Sequence, residues 1–266
     1  MLLKDKVALI TGAARGIGRV TALVLADEGA DVGVVDILPD VESTAREVED
    51  RGRRSAFGVF DISDSDKVKD GVQKIREELG DFDILVNNAG IVNNIAYLTK
   101  MPARRWDEEI SVNLTGAFNM IKEVIGSMIK KQWGRIINIS SIGATEGLHK
   151  QIAYAASKAG LLGLTKTVTL EHARDNITCN AVLPGLIDTE TVCQMAQETK
   201  RSAISITPAR RLGKMKEVGY LISFLASDRA GFINGAEIPI DGGMRLTILY
   251  LGSRAEIRRK ENPCEK

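Results

Sequence analysis

Cysteine and histidine are scarce in this chain of 266 residues, which contains three cysteines and two histidines. The cysteines, Cys179, Cys193 and Cys264, show neither metal-ligand nor disulfide spacing, so the sequence predicts no metal site and a reduced, cytoplasmic protein. An excess of one charge is also absent, because 36 basic residues stand against 35 acidic ones. This balance gives no reason to expect nucleic acid or an anionic membrane as a partner.

Long apolar runs are missing as well. No stretch approaches the roughly 20 apolar residues that are needed to span a bilayer. The run from Val7 to Thr11 is too short for a signal peptide and leads straight into glycines. Hydrophobic residues nevertheless make up 44% of the chain, which is enough for a sizeable core. A single domain is common at this length.

Short apolar runs alternate with helical patterns along the chain. This alternation predicts an α/β fold with a doubly wound, Rossmann-like parallel sheet. We expect one domain over residues 1–245, with a small substrate lid at about 188–210, and a C-terminal extension over 246–266 whose last dozen residues are disordered. The predicted strands are 6–11, 31–36, 55–61, 83–87 and 235–243, and the predicted helices include 41–51, 65–79 and 216–227.

A glycine loop follows the first predicted strand. It reads Gly12-Ala-Ala-Arg15-Gly16-Ile17-Gly18 and leads into a helical pattern. Strand, glycine turn and helix form the context of a dinucleotide-binding fingerprint, in which the backbone approaches a pyrophosphate at the helix N-terminus. The spacing departs from Gly-x-Gly-x-x-Gly, so a tight structural turn remains an alternative.

An acid closes the second predicted strand, and it bears on the choice of cofactor. Asp36 lies 18 residues beyond Gly18, where a carboxylate accepts hydrogen bonds from the adenosine ribose. It would repel a 2′-phosphate, and neither Ile37 nor Leu38 offers a compensating base. The sequence therefore predicts NAD as the cofactor. Arg15 is evidence against this prediction, because an arginine in the glycine loop could reach a 2′-phosphate. The alternative interpretation of Asp36 is a solvated acid at the end of a strand. Asp61 and Ile62, after the third strand, are expected at the adenine edge.

Tyr154 and Lys158 lie four residues apart in an apolar run that reads as a buried helix. Residues at this spacing share one helix face. An unperturbed tyrosine has a pKa of about 10, and a nearby ammonium favours its phenolate. We therefore expect Lys158 to lower the pKa of Tyr154 and suit it to proton transfer. Such pairs also occur by chance, so the evidence that Tyr154 and Lys158 form a functional pair comes from the other motifs in the chain.

Three stretches together resemble the short-chain dehydrogenase/reductase family over residues 4 to about 245. They are Thr11-Gly-Ala-Ala-Arg-Gly-Ile-Gly18, Asn87-Asn88-Ala89-Gly90 and Tyr154-x-x-x-Lys158. The resemblance implies four catalytic residues, and Ser140 is the weaker candidate beside Ser141 because it would point to the other side of its strand. The implied catalytic set is Asn113, Ser141, Tyr154 and Lys158, and the implied cofactor-binding set adds Asn88, Ala89, Gly90, Pro184, Gly185, Ile187 and Thr189.

The resemblance also implies what each catalytic group does. Tyr154 exchanges a proton with the substrate oxygen, and Ser141 holds that oxygen. Lys158 acts on Tyr154 and hydrogen-bonds the nicotinamide ribose, while Asn113 holds a water that relays protons from Lys158. His149, Cys193 and Met195 lie where substrate contacts are conceivable, and the sequence leaves these contacts open.

The sequence thus favours an NAD(H)-dependent oxidoreductase acting on a small secondary alcohol or ketone, or on a coenzyme A thioester. The alternatives are an NADPH-dependent 3-oxoacyl-carrier-protein reductase and a non-catalytic dinucleotide-binding sensor or scaffold. Carrier-protein reductases of the family usually present arginines near the active-site mouth, where this chain has Gln132 and Asp175. The resemblance further implies a homotetramer that pairs the helices near 103–131 and 154–174.

Overall fold

A seven-stranded, fully parallel sheet in the order β3-β2-β1-β4-β5-β6-β7 forms the centre of the molecule. The computed structural model describes residues 1–246, so nearly all of the predicted C-terminal extension lies outside the described residues. Continuous apolar runs form the inner strands because both of their faces are covered by helices. The strands are β1 (Val7–Thr11), β2 (Asp31–Asp36), β3 (Ser55–Val59), β4 (Ile84–Asn87), β5 (Gly134–Ile139), β6 (Ile177–Pro184) and β7 (Glu237–Ile240).

Helices cover both faces of the sheet, which confirms the predicted doubly wound α/β fold. One buried layer joins the sheet to α1, α2 and α10, and the other joins it to α3, α5 and α7. No helix among residues 1–246 is long and apolar enough to cross a membrane. The helices are α1 (Gly16–Asp27), α2 (Val41–Glu49), α3 (Ser65–Leu79), α4 (Ala103–Ile110), α5 (Gly116–Lys131), α6 (Gly143–Glu146), α7 (Ile152–His172), α8 (Glu190–Cys193), α9 (Gln197–Ile206) and α10 (Met215–Leu225).

The strand order reverses between β1 and β4, and the chain leaves these two strands toward opposite sides of the sheet. Ligands of open α/β sheets bind at such a switch point, outside the carboxyl ends of the strands. The carboxyl ends of β1, β4, β5 and β6 lead into Gly12, Asn88, Ser140 and Gly185, respectively. The topology therefore gathers the predicted site residues at one edge.

The segment predicted as a lid contains α8 and α9, neither of which has a buried residue. A parallel bridge between Ile187 and Gly213 joins the two ends of this segment. The segment therefore leaves and rejoins the body of the protein at nearly one point.

Candidate active site

Tyr154 and Lys158 lie on consecutive turns near the start of α7, as the sequence predicts. Lys158 is 4% exposed, and its Nζ donates a hydrogen bond of 2.8 Å to the carbonyl of Ile139 at the end of β5. The Nζ lies 5.8 Å from the centre of the Tyr154 ring. Burial and the backbone hydrogen bond hold the ammonium in one place beside the phenol.

Ser140 and Ser141 point in different directions. The Ser140 hydroxyl donates a hydrogen bond of 2.8 Å to the carbonyl of Lys158 and so ties β5 to α7. The Ser141 Oγ accepts a hydrogen bond of 3.0 Å from the amide of Gly143 and also bonds the Tyr154 hydroxyl. The structure thus places Ser141, and not Ser140, beside the tyrosine.

The electrostatics of the pair differ from the expectation drawn from the sequence. Burial raises the pKa of Tyr154, a hydrogen bond with Ser141 opposes the rise, and the charge of Glu109 adds to it. Burial also lowers the pKa of Lys158 to about 8. The ammonium therefore loses its proton before the phenol ionises, and the prediction that Lys158 lowers the Tyr154 pKa is wrong for the protein alone. At neutral pH the phenol keeps its proton and is available as an acid.

Asn113 lies in a π-helical turn, Ser111–Thr115, that interrupts the predicted long helix between α4 and α5. Single π turns often mark functional sites. The Asn113 Oδ1 accepts from the amide of Ile91 at 2.7 Å, while its Nδ2 donates to the carbonyl of Ile91 at 2.9 Å and to the Ser157 Oγ at 3.1 Å. A Cβ added to Gly90 would lie 3.1 Å from the Lys158 Nζ and 3.2 Å from the Asn113 Oδ1. Asn113 therefore holds the chain after β4 against the lysine.

The glycine loop takes a shape that side chains would block. Gly12 adopts a φ of +65°, and a Cβ added to Gly18 would lie 2.1 Å from the carbonyl oxygen of Gly12. The Asn88 Nδ2 braces the loop through hydrogen bonds to the carbonyls of Thr11 (2.9 Å) and Gly12 (3.0 Å). Within residues 1–246, no side chain caps the N-terminus of α1. The free amides of this helix terminus suit a pyrophosphate.

Asp36 spans the gap between the glycine loop and the end of β2. Its Oδ2 accepts a hydrogen bond of 3.0 Å from the amide of Ala14, and its Oδ1 accepts one of 3.1 Å from the amide of Leu38. The Arg15 side chain is exposed and has no hydrogen-bond or ion-pair partner within residues 1–246. The carboxylate is thus fixed by backbone groups, and no base neutralises it.

Asp61 and Ile62 follow β3, but their side chains are engaged with protein groups. The Asp61 Oδ1 accepts from the amide and the hydroxyl of Ser63, at 2.9 and 2.8 Å. Ile62 is 5% exposed, and a Cβ added to Gly116 would lie 2.6 Å from its side chain. Ile62 therefore contributes to the core, and Asp61 is the residue of the two that remains at the cleft edge.

The segment after β6 faces the glycine loop. The Pro184 carbonyl accepts from the amide of Ile142 at 3.2 Å, and the amide of Gly185 donates to Ile240 at 3.1 Å. Ile187 is 4% exposed, and the Thr189 Oγ1 caps α8 by accepting from Val192 at 3.3 Å. The Glu190 Oε2 would lie 3.6 Å from a Cβ added to Gly16. The first turn of α8 therefore lies across the cleft from the glycine loop.

Three side chains that the sequence left open lie at the surface. His149 is exposed and meets the edge of the Tyr97 ring, with the ring centres 5.6 Å apart. Cys193 is exposed and bonds Asp188, which raises the pKa of its thiol. Met195 is 37% exposed. No group of three or more His, Cys, Asp or Glu side chains that could hold a metal occurs in the described part of the chain.

Sequence reasoning missed Glu109 and Thr11. Glu109 is fully buried on α4, four residues before Asn113 and thus near the same face, which is the signal that could have revealed it. The Thr11 Oγ1 accepts from the amides of Asn88 and Ala89, at 3.1 and 3.0 Å. Asn88, Ala89 and Thr11 thereby join β1 and β4 at the switch point.

Comparison with known proteins agrees with this geometry. A family model described as "Enoyl-(Acyl carrier protein) reductase" matches residues 12–245. The chain belongs to the short-chain dehydrogenase/reductase family. It is 43% identical over 245 residues to a 3-oxoacyl-[acyl-carrier-protein] reductase of Thermotoga maritima, covering 92% of this chain and 99% of that protein. It is 38% identical to nodulation protein G of Azospirillum brasilense, covering 91% and 99%.

Solved structures give the same result. Levodione reductase superimposes with a TM-score of 0.87 at 33% identity, covering 91% of this chain and 98% of that one. A putative short-chain alcohol dehydrogenase from Sinorhizobium meliloti also gives 0.87, at 35% identity and with 92% and 98% coverage. The protein is therefore an oxidoreductase of this family that acts on CH–OH or keto groups.

Proposed function

We propose that the protein is an NAD(H)-dependent oxidoreductase that interconverts a secondary alcohol and a ketone. The observation that carries the proposal is the juxtaposition of Ser141, Tyr154 and Lys158 with a glycine loop whose partner strand ends in Asp36. This complete set of side chains argues against a non-catalytic sensor or scaffold. Asp36, fixed by two backbone amides, argues for NAD(H).

The cleft fits a nicotinamide dinucleotide. Such a cofactor supplies or accepts the hydride when bound. The uncapped N-terminus of α1 would hold its pyrophosphate and Asp36 its adenosine ribose. The nicotinamide half would be held by Lys158 and by the segment after β6. The residues that we assign to cofactor binding are Gly12, Arg15, Gly16, Ile17, Gly18, Asp36, Asp61, Ile62, Asn88, Ala89, Gly90, Tyr154, Lys158, Pro184, Gly185, Ile187 and Thr189, with Ile62 acting through its backbone amide because its side chain lies in the core.

The side chains divide the proton chemistry among them. Because burial raises its pKa, Tyr154 holds a proton at neutral pH and donates it to the carbonyl oxygen during reduction. Ser141, bonded to the same hydroxyl, holds the substrate oxygen and stabilises the charge that develops there. Lys158 stabilises the phenolate that is left. Asn113 fixes the segment beside Lys158 and orders the route by which the proton is replaced.

A 3-oxoacyl-carrier-protein reductase is the second candidate, favoured by the names of the relatives. Gln132 and Asp175 bear on it, since the Gln132 Nε2 donates to the Asp175 Oδ1 at 3.3 Å and His172 lies 3.0 Å from the same carboxylate. Gln132 precedes β5 and Asp175 precedes β6, so both lie at the end of the sheet opposite Ser141. Because a six-residue strand is about 20 Å long, they are about this far from the active site. The expectation that they lie near the mouth is therefore wrong within one subunit.

We also propose a cytoplasmic homotetramer. Exposed apolar side chains support the assembly: Phe118 on α5 is 50% exposed and Leu170 on α7 is 85% exposed, and Tyr220 on α10 and Phe232 are exposed as well. A tetrameric mass by light scattering at micromolar concentration would support it, and a monomeric mass would overturn it.

One assay separates the candidate functions. The protein is incubated with NADH or NADPH and small ketones, acetoacetyl-coenzyme A or acetoacetyl-carrier protein, at low and high salt. We expect NADH oxidation with small ketones or the coenzyme A thioester. Salt-sensitive NADPH oxidation with the carrier-protein substrate alone would establish the second candidate, and no turnover of any pair would favour the sensor.

A further inference from the structure

Glu109 is a buried carboxylate without a positive partner. It is 0% exposed on α4, and no Lys, Arg or His nitrogen lies within 4 Å of it among residues 1–246. Its Oε1 accepts hydrogen bonds from the amides of Asn93 (2.9 Å) and Asn94 (3.0 Å) and from the Asn94 Nδ2 (3.0 Å). Its Oε2 is buried and has no hydrogen-bond partner in the part of the chain that the structure describes. A buried charge is costly unless it is paired, so a carboxylate in such a place calls for a function.

The segment that Glu109 holds is part of the active site. Ile91, two residues before Asn93, exchanges two hydrogen bonds with Asn113, and Gly90 lies against the Lys158 Nζ. Glu109 and Asn113 are four residues apart, so the extended chain from 90 to 94 is fixed by one side chain from each of two successive turns. Further along, the amide of Ala96 donates to the carbonyl of Lys150 at 2.8 Å, just before α7 begins.

Glu109 also acts on the catalytic tyrosine through space. Its charge contributes to the raised pKa of Tyr154, beside the larger effect of burial and against the hydrogen bond with Ser141. From α7, the Lys158 Nζ faces the Tyr154 ring. The carboxylate is therefore coupled to the site by a chain of hydrogen bonds and by its field, two independent connections.

We propose that Glu109 is a positioning residue of the active site, whose carboxylate clamps residues 93–94 to α4 and thereby holds the 90–94 segment against Asn113 and Lys158. The inference rests on the ketone-reductase function proposed above. Three variants test it. Glu109→Gln keeps an acceptor oxygen and removes the charge, Glu109→Leu removes both, and Glu108→Gln is the matched control, because Glu108 is an exposed neighbour paired with Arg105.

Amide hydrogen exchange of the peptide covering 91–97 reports the clamp without any need for turnover. We expect exchange of this peptide to be at least about tenfold faster in Glu109→Leu than in the wild type, because the variant loses hydrogen bonds to a charged group. Exchange should stay close to wild type in Glu109→Gln and Glu108→Gln. Unchanged exchange in Glu109→Leu would overturn the proposal even if no substrate is found. If Glu109→Leu does not fold, Asn94→Ala, which removes the hydrogen bond from the Asn94 Nδ2 to Glu109, takes its place: faster exchange than in the wild type supports the clamp, and wild-type exchange refutes it.

Kinetics test the link to catalysis with any ketone that the wild type reduces. We expect Glu109→Leu to lower kcat by about tenfold or more, with the Kd for NADH within about twofold of wild type. Glu109→Gln should retain kcat within about threefold. The pH at which Tyr154 ionises, taken from the ultraviolet absorbance difference between each protein and its Tyr154→Phe variant, should be lower in Glu109→Gln than in the wild type, because the field of the carboxylate is gone. A purely structural residue would not shift this ionisation. Wild-type kcat in Glu109→Leu, or an unchanged ionisation of Tyr154 in Glu109→Gln, would contradict the proposal.

Discussion

Asp36 determines the cofactor preference that we expect, and its replacement is the most direct test. Two unit charges about 4 Å apart repel by roughly 4 kcal/mol at an effective dielectric constant of 20. A 2′-phosphate beside Asp36 would feel at most this repulsion, because the carboxylate is only half-buried and Arg15 offers a nearby positive charge. Each 1.4 kcal/mol corresponds to about tenfold. We therefore expect kcat/KM to favour NADH over NADPH by about a hundredfold, below the thousandfold limit.

The variants separate charge from loop geometry. Asp36→Ala removes the repulsion and also the hydrogen bonds from the amides of Ala14 and Leu38. The kcat/KM for NADH should therefore fall while the kcat/KM for NADPH rises. Asp36→Asn keeps one acceptor oxygen. It should reduce the preference for NADH over NADPH with a smaller decrease in the kcat/KM for NADH. Asp40→Asn, an exposed acid four residues further on, is the control and should leave the ratio unchanged. Initial rates with both cofactors measure the ratio. Equal wild-type efficiencies, or an unchanged ratio in Asp36→Ala, would refute the reasoning.

Three further predictions concern the catalytic pair and the glycine loop. Tyr154→Phe should abolish nearly all turnover but keep NADH affinity by fluorescence titration, and a variant retaining a tenth of the activity would show another proton route. Gly18→Ala should weaken NADH binding at least about tenfold, because its Cβ would lie 2.1 Å from the Gly12 carbonyl, whereas Gly163→Ala, with nothing within 4 Å, should bind normally. Ketone reduction should be flat in kcat/KM around neutral pH and fall in the alkaline range, first as Lys158, whose pKa is about 8, loses its ammonium charge and then as Tyr154 loses its proton; a decrease in kcat/KM as the pH is lowered below 7 would contradict this.

The fold could be predicted because its signals are local. A strand buried on both faces is a continuous apolar run, and β2 (Asp31–Asp36) and α3 (Ser65–Leu79) begin and end where the sequence indicates. The proximity of Tyr154 and Lys158 could be predicted as well, because their spacing places them on one helix face. Periodicity does not specify the π turn around Asn113, because this five-residue turn is shorter than the window of about 11–18 residues in which a helical pattern is recognised.

Other features depend on the assembled structure. Whether Glu109 is a solvated helix acid or a buried clamp depends on the path of residues 90–94, which only the packed chain defines. The position of Gln132 and Asp175 shows the same dependence, because motif matching says which residues replace the arginines but not at which end of the sheet they lie.

The Tyr154–Lys158 pair shows most clearly why residue types and spacing are insufficient. If the 5.8 Å between the Lys158 Nζ and the centre of the Tyr154 ring is taken as the separation of the charges, the ammonium would stabilise a phenolate by about 3 kcal/mol at an effective dielectric constant of 20. Burial, however, lowers the pKa of Lys158 to about 8 and raises that of Tyr154, so the lysine is neutral before the resting phenol can ionise. During reduction at neutral pH the order is different, because Tyr154 loses its proton to the substrate while Lys158 is still charged. The ammonium therefore acts on the phenolate that catalysis creates, where charge develops, and not on the resting tyrosine.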